Sequence, residues 1–382
     1  MHELETHTTF WKFKRLNYIY LLLVILLASF GVVLLYGAAH GSWDPYAQRH
    51  LVRFLLGLAL ALGIAFTPMR FIYRSAYPLY FLAICLLVLV PFIGVTSMGA
   101  TRWIDIGFLR LQPSEVAKIA LILALARFYH QRRAMVVDTL PAVLFTAGII
   151  ILPAALTAIQ PDLGTALLLV MVGLALMFFA GVNWRYFAAA IVAGIAFLPI
   201  AWNFLLHDYQ KGRILTFLDP SRDPTGAGYH IIQSKIAIGS AGFWGKGFMQ
   251  GSQAQLQFLP EKHTDFIFTL MTEDFGMAAA LSVIVTFVIL ILMGIYMAVR
   301  NLNQFSSLVI LGVTTTLFVY AFVNIAMVMG LLPVVGLPLP FISFGGTSLL
   351  TLMVGVGLVL NMDLNRFTHL PGAGGLSTSR HF

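Results

Sequence analysis

The chain has 382 residues, 59% of them hydrophobic and only 10% charged, with a formal net charge of +8. Ordinary soluble domains carry about 25% charged residues, and a mean hydropathy of +0.90 excludes a soluble protein, whose core would be left almost without polar surface. The lone cysteine, Cys85, excludes an intrachain disulfide and a cysteine metal cluster.

A bilayer-crossing helix needs about 20 mostly apolar residues. In chain order the candidate spans are 17–37, 51–67, 75–95, 114–130, 140–158, 163–182, 186–206, 277–299, 306–330 and 345–362. They predict an all-α polytopic membrane protein of about ten transmembrane helices, one integral membrane domain over 1–382. The first span is longer than a signal-peptide core and others follow it, so it reads as an anchor. The large loop 207–265 separates spans seven and eight and is too long for a mere connection.

Basic residues set orientation. Lys12, Lys14, Arg15, Arg70, Arg74, Arg127, Arg132, Arg133, Arg185, Arg300, Arg366 and Arg380 fall on one side, while the short opposite loops carry Arg49, Arg102 and Arg110, with Arg53 and Lys118 just inside neighbouring helices. Both termini are therefore expected in the cytoplasm and 207–265 outside. The positive charge is a topology signal. It is no nucleic-acid footprint, because no basic stripe with interleaved aromatics forms a module.

Acids concentrate on the expected outer face, which topology does not explain, since acids contribute little to orientation. Asp265, in Leu259-Pro-Glu-Lys262-His263-Thr264-Asp265-Phe266, stands where a polar loop enters apolar sequence. It can cap a helix, and a capped carboxylate can still act as a base. Glu115 and Lys118 share a helix face, either neutralising each other or forming the floor of an outer cavity. Asp162 in Gln160-Pro-Asp-Leu-Gly-Thr165 is a cap or a site residue. Arg49 and Arg213 flank spans on the outer side, where they snorkel or bind phosphate. The Pro- and Gly-rich run 332–348 is non-helical at membrane depth, so it must be buried in protein or line a cavity. Glu273 and Asp274 lie near the boundary if 277–299 alone spans, and about 12 Å deeper if helix begins at Asp265. Residues 229–238 offer a short amphipathic helix. Zinc-hydrolase, P-loop and serine-elbow motifs are missing.

Several segments in one order resemble the SEDS family (shape, elongation, division and sporulation) over nearly the whole chain. They are Arg102-Trp103 with Gln112-Pro-Ser-Glu-Val-Ala-Lys118, Gln160–Thr165, Asp219-Pro220 with Gly226-Ala-Gly-Tyr-His-Ile-Ile-Gln233-Ser234, Leu259–Phe266, and Pro338-Leu-Pro340 with Ser343-Phe-Gly-Gly346. Tyr229–Gly239 resembles the elongation branch more than the division branch. The resemblance implies ten spans in the bacterial inner membrane and peptidoglycan glycosyltransferase activity on lipid II. It implies a class B penicillin-binding protein transpeptidase and elongation-complex membrane proteins as partners. Asp265 matches the family's catalytic aspartate. It would take the proton of the acceptor GlcNAc 4-hydroxyl as that oxygen attacks the donor MurNAc C1 and undecaprenyl diphosphate leaves. The candidate substrate-binding residues are Arg49, Arg102, Glu115, Lys118, Asp162, Arg213, Gln233, Lys262, His263, Thr264 and Ser343. A divalent cation, Mg or Mn, would help neutralise the diphosphate, with ligands the sequence does not fix. The rival reading is a lipid II flippase, against which stand the crowding of ionisable groups on one face and the lack of an inverted repeat.

Overall fold

Asn17 opens the first helix by accepting the Tyr20 N–H at 3.2 Å on its side-chain oxygen, a local cap for the otherwise orphaned first turn. The computed structural model describes residues 13–97, 100–105, 107, 110–132, 137–205, 208–223, 226–251, 263–368 and 370. A helix lies over each of the ten expected spans. These are α1 (Tyr18–Ala38), α2 (Ala47–Phe66), α3 (Met69–Ile93), α4 (Pro113–His130), α5 (Leu140–Ile159), α6 (Leu163–Phe179) and α7 (Trp184–Ile200). After the outer segment come α10 (Ile267–Val299), α11 (Gln304–Val328) and α12 (Thr347–Leu364). Eight of the ten are long and apolar enough to cross a membrane by themselves. The 17-residue α6 is apolar but short. Helix α4 carries Glu115, Lys118 and Arg127 and is buried among the others.

In lipid, helices gain little from hydrophobic burial against each other and associate through close packing and hydrogen bonds. The contact of α2 with α12 shows both. A Cβ on Gly357 would stand 2.6 Å from the Ala61 carbonyl oxygen, so only glycine permits this approach. One turn on, the Asn361 amide donates to the carbonyls of Ile64, Ala65 and Thr67 at 2.9, 3.0 and 2.6 Å, which closes the C-terminus of α2. Helices α4 and α11 form the centre of the bundle, whereas α7 has no buried residue.

Helix α10 is broken at Gly276, whose φ of 78° is left-handed. The glycine run after Ser240 fills the break. Met277 and Ala278 donate to the carbonyls of Gly242 and Phe243 at 3.0 and 3.1 Å, and the amides of Lys246 and Gly247 donate to the carbonyls of Glu273 and Asp274 at 3.0 Å each. The Asp274 carboxylate accepts the Met249 and Gly251 amides at 3.2 and 3.1 Å, and Lys246 Nζ lies 2.8 Å from Glu273. Glu273 and Asp274 are thus buried by a returning loop, and both alternatives for this helix hold in part: it begins at Ile267 and restarts after Gly276.

The segment expected as a loop contains helices. They are α8 (Asp208–Leu218), a tight turn at Pro220–Arg222 and α9 (Ala227–Ser240). Ser221 and Arg222 hydrogen-bond the Asp219 carboxylate at 2.5 and 3.1 Å, which holds its carboxyl below the usual carboxylate range. Helix α9, expected to be amphipathic, docks on protein: Ser234 Oγ lies 2.7 Å from Thr269 Oγ1 and donates to the Val328 carbonyl at 2.8 Å. The fold is the expected helical one, with a small sheet of β1 (Val95–Ser97), β2 (Ala100–Asp105) and β3 (Arg110–Leu111) in antiparallel order 1-2-3 between α3 and α4.

Candidate active site

Non-helical backbone from Leu332 to Gly346 reaches into the bundle, and buried side chains satisfy its polar groups. The Asn324 amide donates to the Leu337 carbonyl at 2.7 Å and the Asp265 carbonyl at 3.0 Å. Ser343 Oγ accepts the Leu339 amide at 2.8 Å and donates to the Thr264 carbonyl at 2.7 Å, and the Phe344 amide donates to the His263 carbonyl at 2.9 Å. His50 Nε2 lies 3.1 Å from the Phe341 carbonyl. The turn 263–266 is therefore stitched to the 337–344 strap. The cap position of α10 is Phe266, with no side-chain cap bond, so Asp265 stands one residue outside the helix. Its Oδ2 faces Gly336, 3.5 Å from where a Cβ would project.

Asp265 and Thr264 open onto a cavity of about 1790 Å³. At that end Arg49, Arg102, Asp162 and Arg213 also line it, together with Asp44, Trp103, Asp105 and Arg110. From there the lining follows α2 through Val52, Leu56, Leu60 and Ile64 to Thr67. At about 1.5 Å per residue, Arg49 to Thr67 is about 27 Å, close to the roughly 30 Å hydrocarbon core of a bilayer. Basin and trench together thus run about the depth of the membrane, the apolar trench from Leu56 to Thr67 taking about 17 Å of it.

Most charges in the basin are already engaged. Arg49 lies 3.7 Å from Asp44, and Arg110 3.5 Å from Asp105. Arg102 donates to the carbonyls of Gln160, at 3.1 Å, and Pro161, clasping the turn before α6. Asp162 caps α6 through the Thr165 amide at 3.2 Å, while its other oxygen accepts from Gln112 at 3.1 Å. Its cap and cavity roles coexist.

Other expected site residues do not line the cavity. Glu115 and Lys118, 4% and 2% exposed, form a buried ion pair at 2.7 Å. Lys118 also donates to the Tyr320 hydroxyl, which lies 3.3 Å from Glu115, and its ammonium stands 4.6 Å from the Tyr320 ring centroid. Ser343 is buried in the strap, and Gln233 is half-buried on α9. His263 stacks on Tyr46 at 4.2 Å. Lys262 lies outside the described residues. Sequence reasoning missed Asn324 and Tyr320, whose only signal was a polar group in an apolar span, and Arg53, a second arginine one turn from Arg49.

Among the described residues no three His, Cys, Asp or Glu side chains gather as a cation cage. Magnesium is commonly held by one or two carboxylates with the rest from phosphates and water. The residues present fit a divalent cation only in that manner, carried with a phosphorylated substrate.

Residues 13–367 match the model of the cell cycle protein family FtsW/RodA/SpoVE. The chain is 44% identical over 363 residues to the peptidoglycan glycosyltransferase MrdB of Escherichia coli K12, covering 94% of this chain and 96% of that protein. It is 37% identical to a probable peptidoglycan glycosyltransferase FtsW of Geobacter metallireducens, with 92% and 95% covered. Among solved structures it resembles a chain described under structural coordination of polymerization and crosslinking by a peptidoglycan synthase complex, at TM-score 0.81 and 30% identity, covering 93% and 99%. It also resembles the Thermus thermophilus rod shape determining protein RodA, at TM-score 0.70 and 26% identity, covering 93% and 98%. The chain belongs to the FtsW/RodA/SpoVE family, the SEDS proteins its motifs resemble.

Proposed function

We propose that the chain is a peptidoglycan glycosyltransferase that joins lipid II units into glycan strands for cell-wall elongation, with Asp265 as the general base. The observation that carries this reading is the continuity of the cavity. A carboxylate and several arginines share a basin whose floor runs on as an apolar trench about 17 Å long beside α2. Such a shape suits a substrate with a charged, sugar-bearing head and a long isoprenoid tail. Asp265 takes the proton of the acceptor GlcNAc 4-hydroxyl while that oxygen bonds to the donor C1, and the C1–oxygen bond to the diphosphate breaks with its electron pair leaving on the diphosphate. A positioned base contributes about 10²–10⁴-fold. A diphosphate leaves readily and needs charge stabilisation more than a proton, so a second carboxyl acid of the glycosidase type is not required.

Lipid II transfer across the membrane is the rival activity. It would need a polar path at mid-membrane, and the cavity lining there, Leu56, Ala59, Leu60 and Ile64, is apolar, which favours a tail over a headgroup. The reading includes the bacterial inner membrane as location, both termini in the cytoplasm, and a class B penicillin-binding protein and elongation-complex proteins as partners. A Mg or Mn ion accompanying the diphosphate belongs to it too. The test is purified protein with its transpeptidase partner and labelled lipid II in detergent. Glycan chains are the expected product. Their absence from folded, partner-bound protein would overturn the reading.

A further inference from the structure

We propose that Arg53 holds the diphosphate of the lipid-linked donor and stabilises it as the leaving group. This rests on the glycosyl-transfer reading above. Arg49 and Arg53 are four residues apart on α2, share one face and both line the cavity. Like charges at this spacing repel each other. Arg49 has Asp44 as a partner. Arg53 is partly buried, and among the described residues no carboxylate lies within ion-pair distance of it. Its guanidinium instead lies over the Phe344 ring, 4.9 Å from the centroid. That contact holds the guanidinium in place without neutralising its charge, and its N–H donors can form a forked bond to an oxyanion. Gly346 borders the guanidinium without crowding it, since even a Cβ there would meet it only at van der Waals distance, 3.9 Å, and Arg53 faces the cavity.

The location selects the anion. Above Arg53 is the basin with Arg49 and Asp265, and below it Leu56 and Leu60 begin the trench. An anion seated here has an apolar chain attached. Two guanidiniums one turn apart, about 6 Å along the axis, suit two linked phosphates better than one. Phe344 donates its amide to the His263 carbonyl, so the arginine's platform is tied to the turn that bears Asp265. When donor C1 bonds to the acceptor oxygen, the electron pair of the breaking bond stays on the diphosphate oxygen and the proton passes to Asp265. Arg53 meets the charge on that leaving oxygen.

The test is equilibrium binding to the purified full-length protein in detergent. The probes are decaprenyl diphosphate, decaprenyl monophosphate and inorganic diphosphate, for wild type, Arg53→Gln and Arg53→Lys, with melting temperatures in parallel. Arg53→Gln is expected to lose about tenfold in decaprenyl diphosphate affinity, with little change for the monophosphate, and Arg53→Lys to recover part of the loss. Unchanged diphosphate affinity in folded Arg53→Gln, or an equal loss for both lipids, overturns the assignment. Inorganic diphosphate binding as tightly as the lipid would overturn the lipid-linked part. Should Arg53→Gln not fold, Arg53→Lys decides, and an undiminished preference for diphosphate over monophosphate in it overturns the proposal. Binding needs no turnover, so the diphosphate affinity of Arg53→Gln is read without any contribution from the base. A failure of Arg53 is thereby separated from a failure of the base.

Discussion

The Oδ2 oxygen of Asp265 lies 3.5 Å from the point where a Cβ would project from Gly336. Gly336 has φ 78°, so two constraints meet at one residue. The strap must turn left-handed there, and the wall opposite the carboxylate must stay bare. Gly336→Ala has room for its methyl but strains the backbone by about 1–2 kcal/mol. The expected outcome is a melting temperature lower by a few degrees and polymerisation reduced more than stability explains, because the methyl narrows the approach to Asp265. Wild-type glycan yield from that variant would show that the bare wall is only conformational.

Asn324 is the second support of the same turn. Its amide bridges the carbonyls of Asp265 and Leu337 from inside α11. Asn324→Leu keeps the volume and leaves both carbonyls without this donor, at about 1–3 kcal/mol for each unsatisfied buried group. The variant should melt earlier and polymerise poorly while still binding lipid diphosphate. Thermal unfolding in detergent and lipid II turnover check it, and an unchanged melting temperature would mean that other donors replace the amide.

The Glu115–Lys118–Tyr320 group sits behind the cavity rather than in it. Removing one member of a buried pair typically costs about 3–5 kcal/mol. Glu115→Ala and Lys118→Ala should therefore lower folded yield strongly. Tyr320→Phe leaves the ion pair and the ring contact with Lys118 in place and should be much milder. If Glu115→Ala remains fully folded, the pair is not structural.

Ionisable residues in apolar sequence are conspicuous, and for that reason Asp265, Arg49, Arg102, Asp162 and Arg213 were legible without coordinates and do meet at one cavity. Arg53 was not, because a basic residue near a helix end reads equally well as a snorkelling side chain. Its significance depends on Phe344, which lies 291 residues away. The break in α10 was half-visible as Gly276, but the loop that fills it, Gly242–Gly251, is recognised only once the fold pairs their backbones. The sheet at Val95–Leu111 hid in a short polar connection, and α8 and α9 hid in a segment whose length suggested a loop. Glu115 and Lys118 were correctly paired by helical spacing, but spacing says nothing about which side of the wall a pair occupies.

Orientation is testable at Ser221, an exposed residue of the turn after α8. With Cys85 replaced by alanine, Ser221→Cys should react with a membrane-impermeant maleimide added to intact spheroplasts. Labelling only after the membrane is opened would reverse the topology and place the cavity mouth in the cytoplasm.

Asp265 itself separates capping from catalysis. The cap of α10 is Phe266, and Asn would serve any residual capping role of residue 265 about as well as Asp. Asp265→Asn should hence fold, melt and hold its transpeptidase partner like wild type. An amide cannot accept the acceptor's proton, so polymerisation should fall by roughly 10²–10⁴-fold. Asp265→Glu restores the carboxylate but moves it by a methylene toward the Gly336 wall, and small displacements of a reacting group are costly, so it should also be impaired though less than Asn. The measurement is glycan-chain yield from labelled lipid II alongside the melting temperature of each variant. Wild-type yield from Asp265→Asn would remove this carboxylate from the chemistry and return lipid II transport as the leading reading of the cavity.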